Sequence, residues 1–206
     1  MGIARQGNET YRVVLADTAT LRAEVHALRA SEYAVSQPYL RASDAYDDRS
    51  YLFGCWSDRA RGPVATCRFT TPLAGGYELD DLTTGWTRPP VPVSQLLETS
   101  RVVVRRDHRA TGLVEAMLLV AGSWLLTRTA YRYNFAVCAR PLMRLYARLG
   151  MQLTADRELV LRGRPEAKRY VVIYGDMAAS QPRVLDRLTG SGWDLTLDVP
   201  EQKVGT

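Results

Sequence analysis

The sequence predicts a mixed α/β fold, with one sheet flanked by helices and more strands than helices. Three observations predict it. Short β-branched runs bounded by turn residues recur at 11–16, 51–56, 64–71 and 96–104. Two longer stretches, 18–34 and 111–128, instead repeat apolar residues at helical spacing. Residues 97–151 then read as strand, Gly-containing turn, long helix, strand and second helix. A chain of 206 residues suits one well-buried domain and is short for two.

The elements follow in order. Residues 11–16 (YRVVLA) are the first expected strand, and 18–34 a helix with Leu21, Val25, Leu28 and Arg29 in register. Residues 36–49 are polar, contain Pro38 and lack a period, which predicts a loop. Residues 51–56 and 64–71 predict a strand pair across a turn at 58–63. The Gly-, Thr- and Pro-rich stretch 72–92 predicts irregular connection or short strand, and 96–104 the next strand. Within 111–128, Leu113, Ala116, Met117, Val120, Ala121 and Trp124 build a helical stripe. Residues 133–137 predict a strand, and 140–149 a helix stopped by Gly150. Strands near 158–161 and 169–174 and a short helix near 182–188 precede an extended tail. The expected core runs from about 10 to 190, between a flexible N-terminus and a flexible tail.

Bulk properties narrow the function. A hydrophobic fraction of 46% and a charged fraction of 24% are those of an ordinary soluble protein. No run approaches the ~20 apolar residues of a membrane span, and the first ten residues have no apolar signal core. Cys55, Cys67 and Cys138 are odd in number and widely spaced. They give neither a disulfide framework nor a metal-ligand spacing, so a cytoplasmic location without a bound metal is expected. The net charge of +5 comes largely from arginine, which suits an anionic partner such as coenzyme A, an acidic carrier protein or tRNA. A solvated basic face is the competing explanation.

Several residues carry candidate chemistry. The turn Arg105-Arg106-Asp107-His108-Arg109-Ala110-Thr111-Gly112 leaves a strand and opens a helix, where free amides and the helix dipole favour an anion. Glu98 and Arg101, three apart on one strand, point to opposite faces unless a bulge intervenes. Arg68 lies within an apolar run, and a buried charge there needs partners, for which Asp44, Asp47 and Asp48 are at hand. Tyr146 is placed to protonate a departing thiolate, or simply to pack its ring in the core. Cys138 has no histidine near it in sequence, and no nucleophile elbow accompanies any serine, which argues against cysteine and serine hydrolases.

Two resemblances follow from these residues. Residues 106–113, a helix, and then Leu-Tyr-Ala-Arg-Leu-Gly-Met at 145–151 resemble the acyl-CoA-binding core of the GNAT superfamily. The turn Arg109-Ala-Thr-Gly112 is an imperfect version of its motif, because Val114 replaces the second small residue. Arg29 with Tyr33, Asp44 with Asp47, Arg68-Phe69 and Glu98-Thr-Ser-Arg101, in this order, resemble the LuxI-type acyl-homoserine-lactone synthases, which share that fold. The shared order spans roughly residues 25–175, though the segment between Tyr33 and Asp44 is short for that family and holds no clear counterpart of its tryptophan that helps enclose S-adenosylmethionine, Tyr39 being the nearest aromatic.

The resemblance implies a single GNAT domain over 1–206, with a mixed, mostly antiparallel sheet splayed near 102–106 and 135–138. It implies an N-acyltransferase that uses acyl-CoA or an acyl-phosphopantetheine carrier as co-substrate, with no tightly bound cofactor, and a small-molecule amine as acceptor. Glu98 would be the base and Tyr146 the acid. Arg29, Tyr33, Asp44, Asp47, Arg68 and Arg101 would shape the amine site. Val104, Arg105, Arg106, Arg109, Thr111 and Gly112 would hold the donor. Three alternatives stand beside it: a lactone synthase using S-adenosylmethionine, a specialised-metabolite transferase using aminoacyl-tRNA or a carrier-bound donor, and a non-catalytic binding module.

Overall fold

A computed structural model describes residues 2–72, 76–155 and 157–197. Its strands are β1 (Gly2–Gln6), β2 (Glu9–Leu15), β3 (Ser50–Ser57), β4 (Pro63–Thr70), β5 (Leu96–Val104), β6 (Tyr133–Ala139), β7 (Gln152–Leu153), β8 (Tyr170–Asp176) and β9 (Trp193–Thr196). The helices are α1 (Ala19–Ser36), α2 (Glu78–Leu82), α3 (Leu113–Arg128), α4 (Met143–Arg148) and α5 (Met177–Gly190). All the strands join one sheet in the order β7-β8-β6-β5-β4-β3-β2-β1-β9. Among the described residues only β5 and β6 pair in parallel. This is the expected mixed, mostly antiparallel sheet.

The two faces of the sheet are covered differently. α3 is apolar all round, with ten buried residues, and it packs with α5 over the face that carries Phe53, Cys67, Phe69 and Ala136. α1 covers the opposite face. Thr18 caps it by accepting from the Leu21 amide at 3.3 Å, and its buried stripe is Val25, Leu28, Arg29 and Tyr33. Every residue of β4 is buried, so both of its faces are under cover.

Five expectations need correction. The N-terminus is not a flexible lead-in: β1 pairs with β2 on one side and β9 on the other, and buries Ala4 completely. The expected tail therefore contributes an edge strand as far as Thr196, while residues 198–206 lie outside the described part. Within 72–92 a short helix, α2, replaces the expected irregular path, and its first turn carries Glu78, Asp80 and Asp81 beside the positive helix end. Residues 158–161 form no strand beyond one bridge, Leu159 to Tyr170. Leu159 and Leu161 instead pack on Phe135 and Val172, so their alternation serves the core, and β7 takes the edge of β8. The last helix also starts earlier than its Pro182 suggested, because Asp176 caps it by accepting from the Ala179 amide at 3.1 Å. Among the described residues no helix is long and apolar enough to cross a membrane.

The sheet opens in its middle. β5 and β6 pair from Leu96↔Tyr133 to Thr99↔Ala136 and then part, somewhat earlier than expected. On its other side β5 bulges against β4, where Ser100 faces Arg68 and Val103 faces Thr66. Arg101 sits in that bulge at φ +53°, a left-handed conformation costly for a residue with a Cβ.

Gly150 ends α4 at φ +77°, and a Cβ there would lie 2.6 Å from Ser180 Cβ. Gly192 has a similar φ of +82° but nothing within 4 Å. Gly150→Ala is therefore expected to cost about 2–4 kcal/mol in urea unfolding, against about 1–2 for Gly192→Ala. Equal losses would show that the contact with α5 has no influence.

Candidate active site

The α1 side of the sheet buries charge. Arg29 lies on the buried stripe of α1, and Arg68 projects from β4 toward it; both are 0% exposed. Arg29 Nη1 donates to Asp47 Oδ1 at 3.0 Å, and Arg68 Nη1 to Asp44 Oδ1 at 2.5 Å and Asp47 Oδ1 at 3.1 Å. Arg68 Nη2 donates to Glu78 Oε2, and Arg101 Nη2 reaches Asp44 Oδ2 at 2.5 Å and Glu78 Oε1 at 2.7 Å. Burial alone would lower the Arg68 pKa, yet Glu78, Asp44 and Asp47 outweigh it and the guanidinium is held firmly charged. Asp47 is likewise held below the usual carboxylate range: Arg29 and Arg68 overcome its burial.

Glu98 joins this network from β5 without an arginine of its own. Its Oε2 accepts from the Glu78 backbone amide at 2.6 Å. Burial first, and then the Glu78 carboxylate, push its pKa up to about 8. The bulge resolves the spacing problem: by inserting residues opposite β4 it turns Arg101 toward the cavity that Glu98 also lines.

That cavity is about 360 Å³ and is walled by Tyr33, Glu78, Glu98, Arg101 and Val102, with Arg164 and Lys168 opposite. Of the expected amine-site residues, Tyr33 and Arg101 line it. Arg29, Asp47 and Arg68 do not: they are buried behind its wall, and Asp44 bridges Arg68 to Arg101. Burial of the arginines in an apolar stripe and strand puts them out of reach of a ligand. Glu78 was not anticipated, because it lies in a stretch read as irregular. Its only signal is the acid-rich Glu-Leu-Asp-Asp after Tyr77. Arg164 and Lys168 were also missed. They come from a loop that closes against Tyr39, whose hydroxyl accepts from Lys168 Nζ at 2.9 Å.

A second, larger groove of about 700 Å³ runs along the gap and the start of α3. Val104, Arg109, Thr111, Gly112 and Tyr146 line it; Arg105 and Arg106 do not. Arg105 is held by Asp107, at 2.7 and 2.9 Å, and donates to His108 Nε2 at 2.9 Å, which leaves the His108 proton on Nδ1 facing the Tyr11 hydroxyl. Arg109 donates to Val104 O at 3.0 Å and to Glu32 Oε2 at 2.6 Å. The turn is pinned from below: Thr111 O accepts from Trp193 Nε1 and Gln6 Nε2, each at 3.1 Å. Two further arginines, Arg148 and Arg187, line the groove around the buried Glu115.

One strand amide is turned toward the gap. The Arg105 amide donates to Val64 O at 2.8 Å, so the alternation of a strand turns the Val104 amide the other way, to the side that β6 has left. Tyr146 stands where groove and cavity meet, since it lines both, and burial pushes its hydroxyl well above the usual tyrosine range. Cys138 also lines the cavity, but burial pushes its thiol up to about 11, so it is no nucleophile near neutrality.

No protein-family model matches the sequence, and no curated protein matches it. Solved structures do match in fold. A CoA-dependent acyl-homoserine lactone synthase, BjaI, bound to SAM and isopentyl-CoA, superposes with TM-score 0.66 at 17% identity, over 87% of this chain and 89% of that one. FeeM, an N-acyl amino acid synthase from uncultured soil microbes, gives 0.64 at 11% identity, over 89% and 97%. The spermidine N-acetyltransferase from Vibrio cholerae, in complex with CoA and spermine, gives 0.54 at 12% identity, over 85% and 98%. The fold of this chain is thus the GNAT fold, shared by N-acetyltransferases, acyl-homoserine lactone synthases and an N-acyl amino acid synthase.

Proposed function

We propose that this protein is an N-acyltransferase that moves an acyl group from a phosphopantetheine thioester, on CoA or an acyl carrier protein, to a primary amine of a small molecule. One arrangement carries the reading. The gap between β5 and β6 has an acid-walled cavity at one end and a groove at the other, with the Val104 amide turned toward it and Tyr146 between them.

The thioester arm lies in the groove with its carbonyl oxygen at the Val104 amide, which stabilises the oxyanion. Glu98 takes a proton from the incoming ammonium. Glu98 passes that proton to solvent; the amine nitrogen attacks the carbonyl carbon, the N–C bond forms, the C–S bond breaks, and the nitrogen gives its second proton to Glu98. Tyr146 gives its proton to the departing thiolate and regains one from solvent. A carboxyl titrating near 8 is well matched to this base role near neutral pH. Arg101 and Glu78 contact the amine, while Arg29, Arg68, Asp44 and Asp47 position them.

A lactone synthase using S-adenosylmethionine is the second reading. What favours it is the gathering of Arg29, Asp44, Asp47, Arg68 and Arg101 into one network, the set named by the sequence resemblance. Release of methylthioadenosine from S-adenosylmethionine and an acyl thioester decides for it; turnover of simple amines without that release decides against it.

Glu98→Gln is expected to lower kcat/KM by about 10²–10⁴. Wild-type kcat/KM is expected to rise with pH up to about 8, and the variant to lack that limb. Turnover within ~3-fold of wild type would remove Glu98 from the chemistry. Stability gives an independent check. The folded pKa of Glu98 lies above its ordinary 4.5, so the folded state holds the extra proton between about 4.5 and 8. Wild type therefore loses stability as pH rises through that window. The Tm of Glu98→Gln relative to wild type should climb from pH 5 to pH 8; a constant difference would contradict the burial argument. For the positioning layer, Arg68→Ala should cost about 3–5 kcal/mol in urea unfolding, because its acids keep their burial and lose their partner. A loss below ~1 kcal/mol would show that the network does not hold the wall in place.

A further inference from the structure

Glu98 takes its one hydrogen bond to the backbone from α2, and α2 is too short to hold itself in place. It has five residues, well below the length at which a helix is stable on its own. One side chain ties down its first turn. Asp80 Oδ2 reaches back to accept from the Tyr77 amide at 2.9 Å, the return half of a capping box. Asp80 Oδ1 accepts from Trp86 Nε1 at 2.9 Å, and Arg88 Nη2 donates to both oxygens, at 3.1 and 3.2 Å. Three donors thus fix the carboxylate, and the carboxylate fixes the turn.

The sheet holds the same turn. The Tyr77 hydroxyl donates to Leu96 O at 2.9 Å, and its ring meets Phe135 edge-on with centroids 4.8 Å apart. Trp86 stacks on Phe135 at 5.0 Å, and Phe135 is the residue that pairs with Glu98 across β5 and β6. Gly76 makes room for the capping contact: its φ is +77°, and a Cβ there would lie 2.6 Å from Asp80 Oδ2. The next amide after that of Tyr77 belongs to Glu78, and it donates to Glu98 Oε2 at 2.6 Å.

We infer that Asp80 is a positioning residue for the base: through the first turn of α2 it aims the Glu78 amide at Glu98 Oε2, which leaves Oε1 as the oxygen that exchanges protons with the amine. The base role is that of the acyl-transfer reading above, on which this assignment rests. A neutral carboxyl that accepts an N–H on one oxygen keeps its own O–H on the other. The ion accepts that N–H more strongly than the acid does, so the amide also favours proton loss and offsets part of the burial. The charge of Asp80 acts the other way, and more weakly. Two substitutions separate these effects. Asp80→Ala frees the turn, so that Glu98 loses the amide. Asp80→Asn keeps an oxygen for the Tyr77 amide and removes only the charge.

The test follows Glu98 by carbon-13 NMR of the side-chain carboxyls in the full chain, its resonance identified by its loss in Glu98→Gln. The inflection near pH 8 in wild type is expected to move up by about one pH unit in Asp80→Ala, the effect of one hydrogen bond to a charged group. In Asp80→Asn it should stay in place or move down. Gly76→Ala displaces the carboxylate without removing it and should also move the inflection up, which keeps the test open should Asp80→Ala not fold. An inflection unmoved in Asp80→Ala or Gly76→Ala, with only the Tm lowered, makes Asp80 merely structural and overturns the inference. An equal downward move in both Asp80 variants, the signature of charge alone, overturns it too. The titration needs no substrate, so these outcomes leave the acyl-transfer reading standing; unchanged turnover in Glu98→Gln overturns that reading instead.

Discussion

Arg68 is fully buried in a central strand, and three separate segments converge on its guanidinium. Asp44 and Asp47 come from the loop after α1, Glu78 from α2, and Ser100 from β5, where its hydroxyl accepts from Arg68 Nε at 3.0 Å. A guanidinium in the interior is tolerable only when its donors are matched and its charge is opposed. That requirement determines where the loop, α2 and the end of β5 settle. The acid-walled cavity is thus built outward from a buried ion network, and most of its acid wall is anchored to Arg68 rather than to solvent.

The bulge of β5 is the second device, and it depends on the first. Arg101 accepts an unfavourable backbone conformation, at φ +53°, and gains two carboxylates, the half-buried Asp44 and the buried Glu78. The same distortion lies beside the point where β6 parts from β5. In an unbroken sheet the amides of β5 beyond Thr99 would be consumed by pairing. Here the Val104 amide faces the opening, and Tyr146 lines both the groove and the cavity beside it.

The charge of the chain is distributed less simply than its total suggests. Arg105 and Arg109 in the basic turn are neutralised by Asp107 and Glu32, so the turn's contribution to an anion site rests more on Gly112 and the helix start than on its arginines. The acidic cavity behaves in the opposite way. Arg29 and Arg68 hold Asp47 below the usual carboxylate range, and Asp44 and Glu78 pair with Arg68 and Arg101, whereas Glu98, which burial and the neighbouring Glu78 carboxylate push up, keeps its proton to near pH 8. One cluster therefore contains both arginine-paired carboxylates and a carboxyl ready to exchange a proton.

Periodicity alone located most of the strands and the two long helices, because apolar spacing along the chain directly reflects which face is buried. It also singled out Arg68 as a charge that burial would have to match. What it misread, or left open, depended on contacts distant in sequence. β1 and β9 are strands because they pair with each other across 190 residues, from Ile3 to Thr196. Leu159 and Leu161 look like a strand but serve as core packing. The candidate residues from Arg29 to Arg101 were legible as a list, and the sequence by itself determined that they are present, in order, on the right kinds of element. Only the tertiary structure decided their layers, with Arg29 and Arg68 behind the wall and Glu98 and Arg101 on it, and it added Glu78, Arg164 and Lys168. The reason is physical: pattern records whether a position is buried, but which buried group faces a cavity and which faces another ion is set by the packing of segments that meet only when the chain folds.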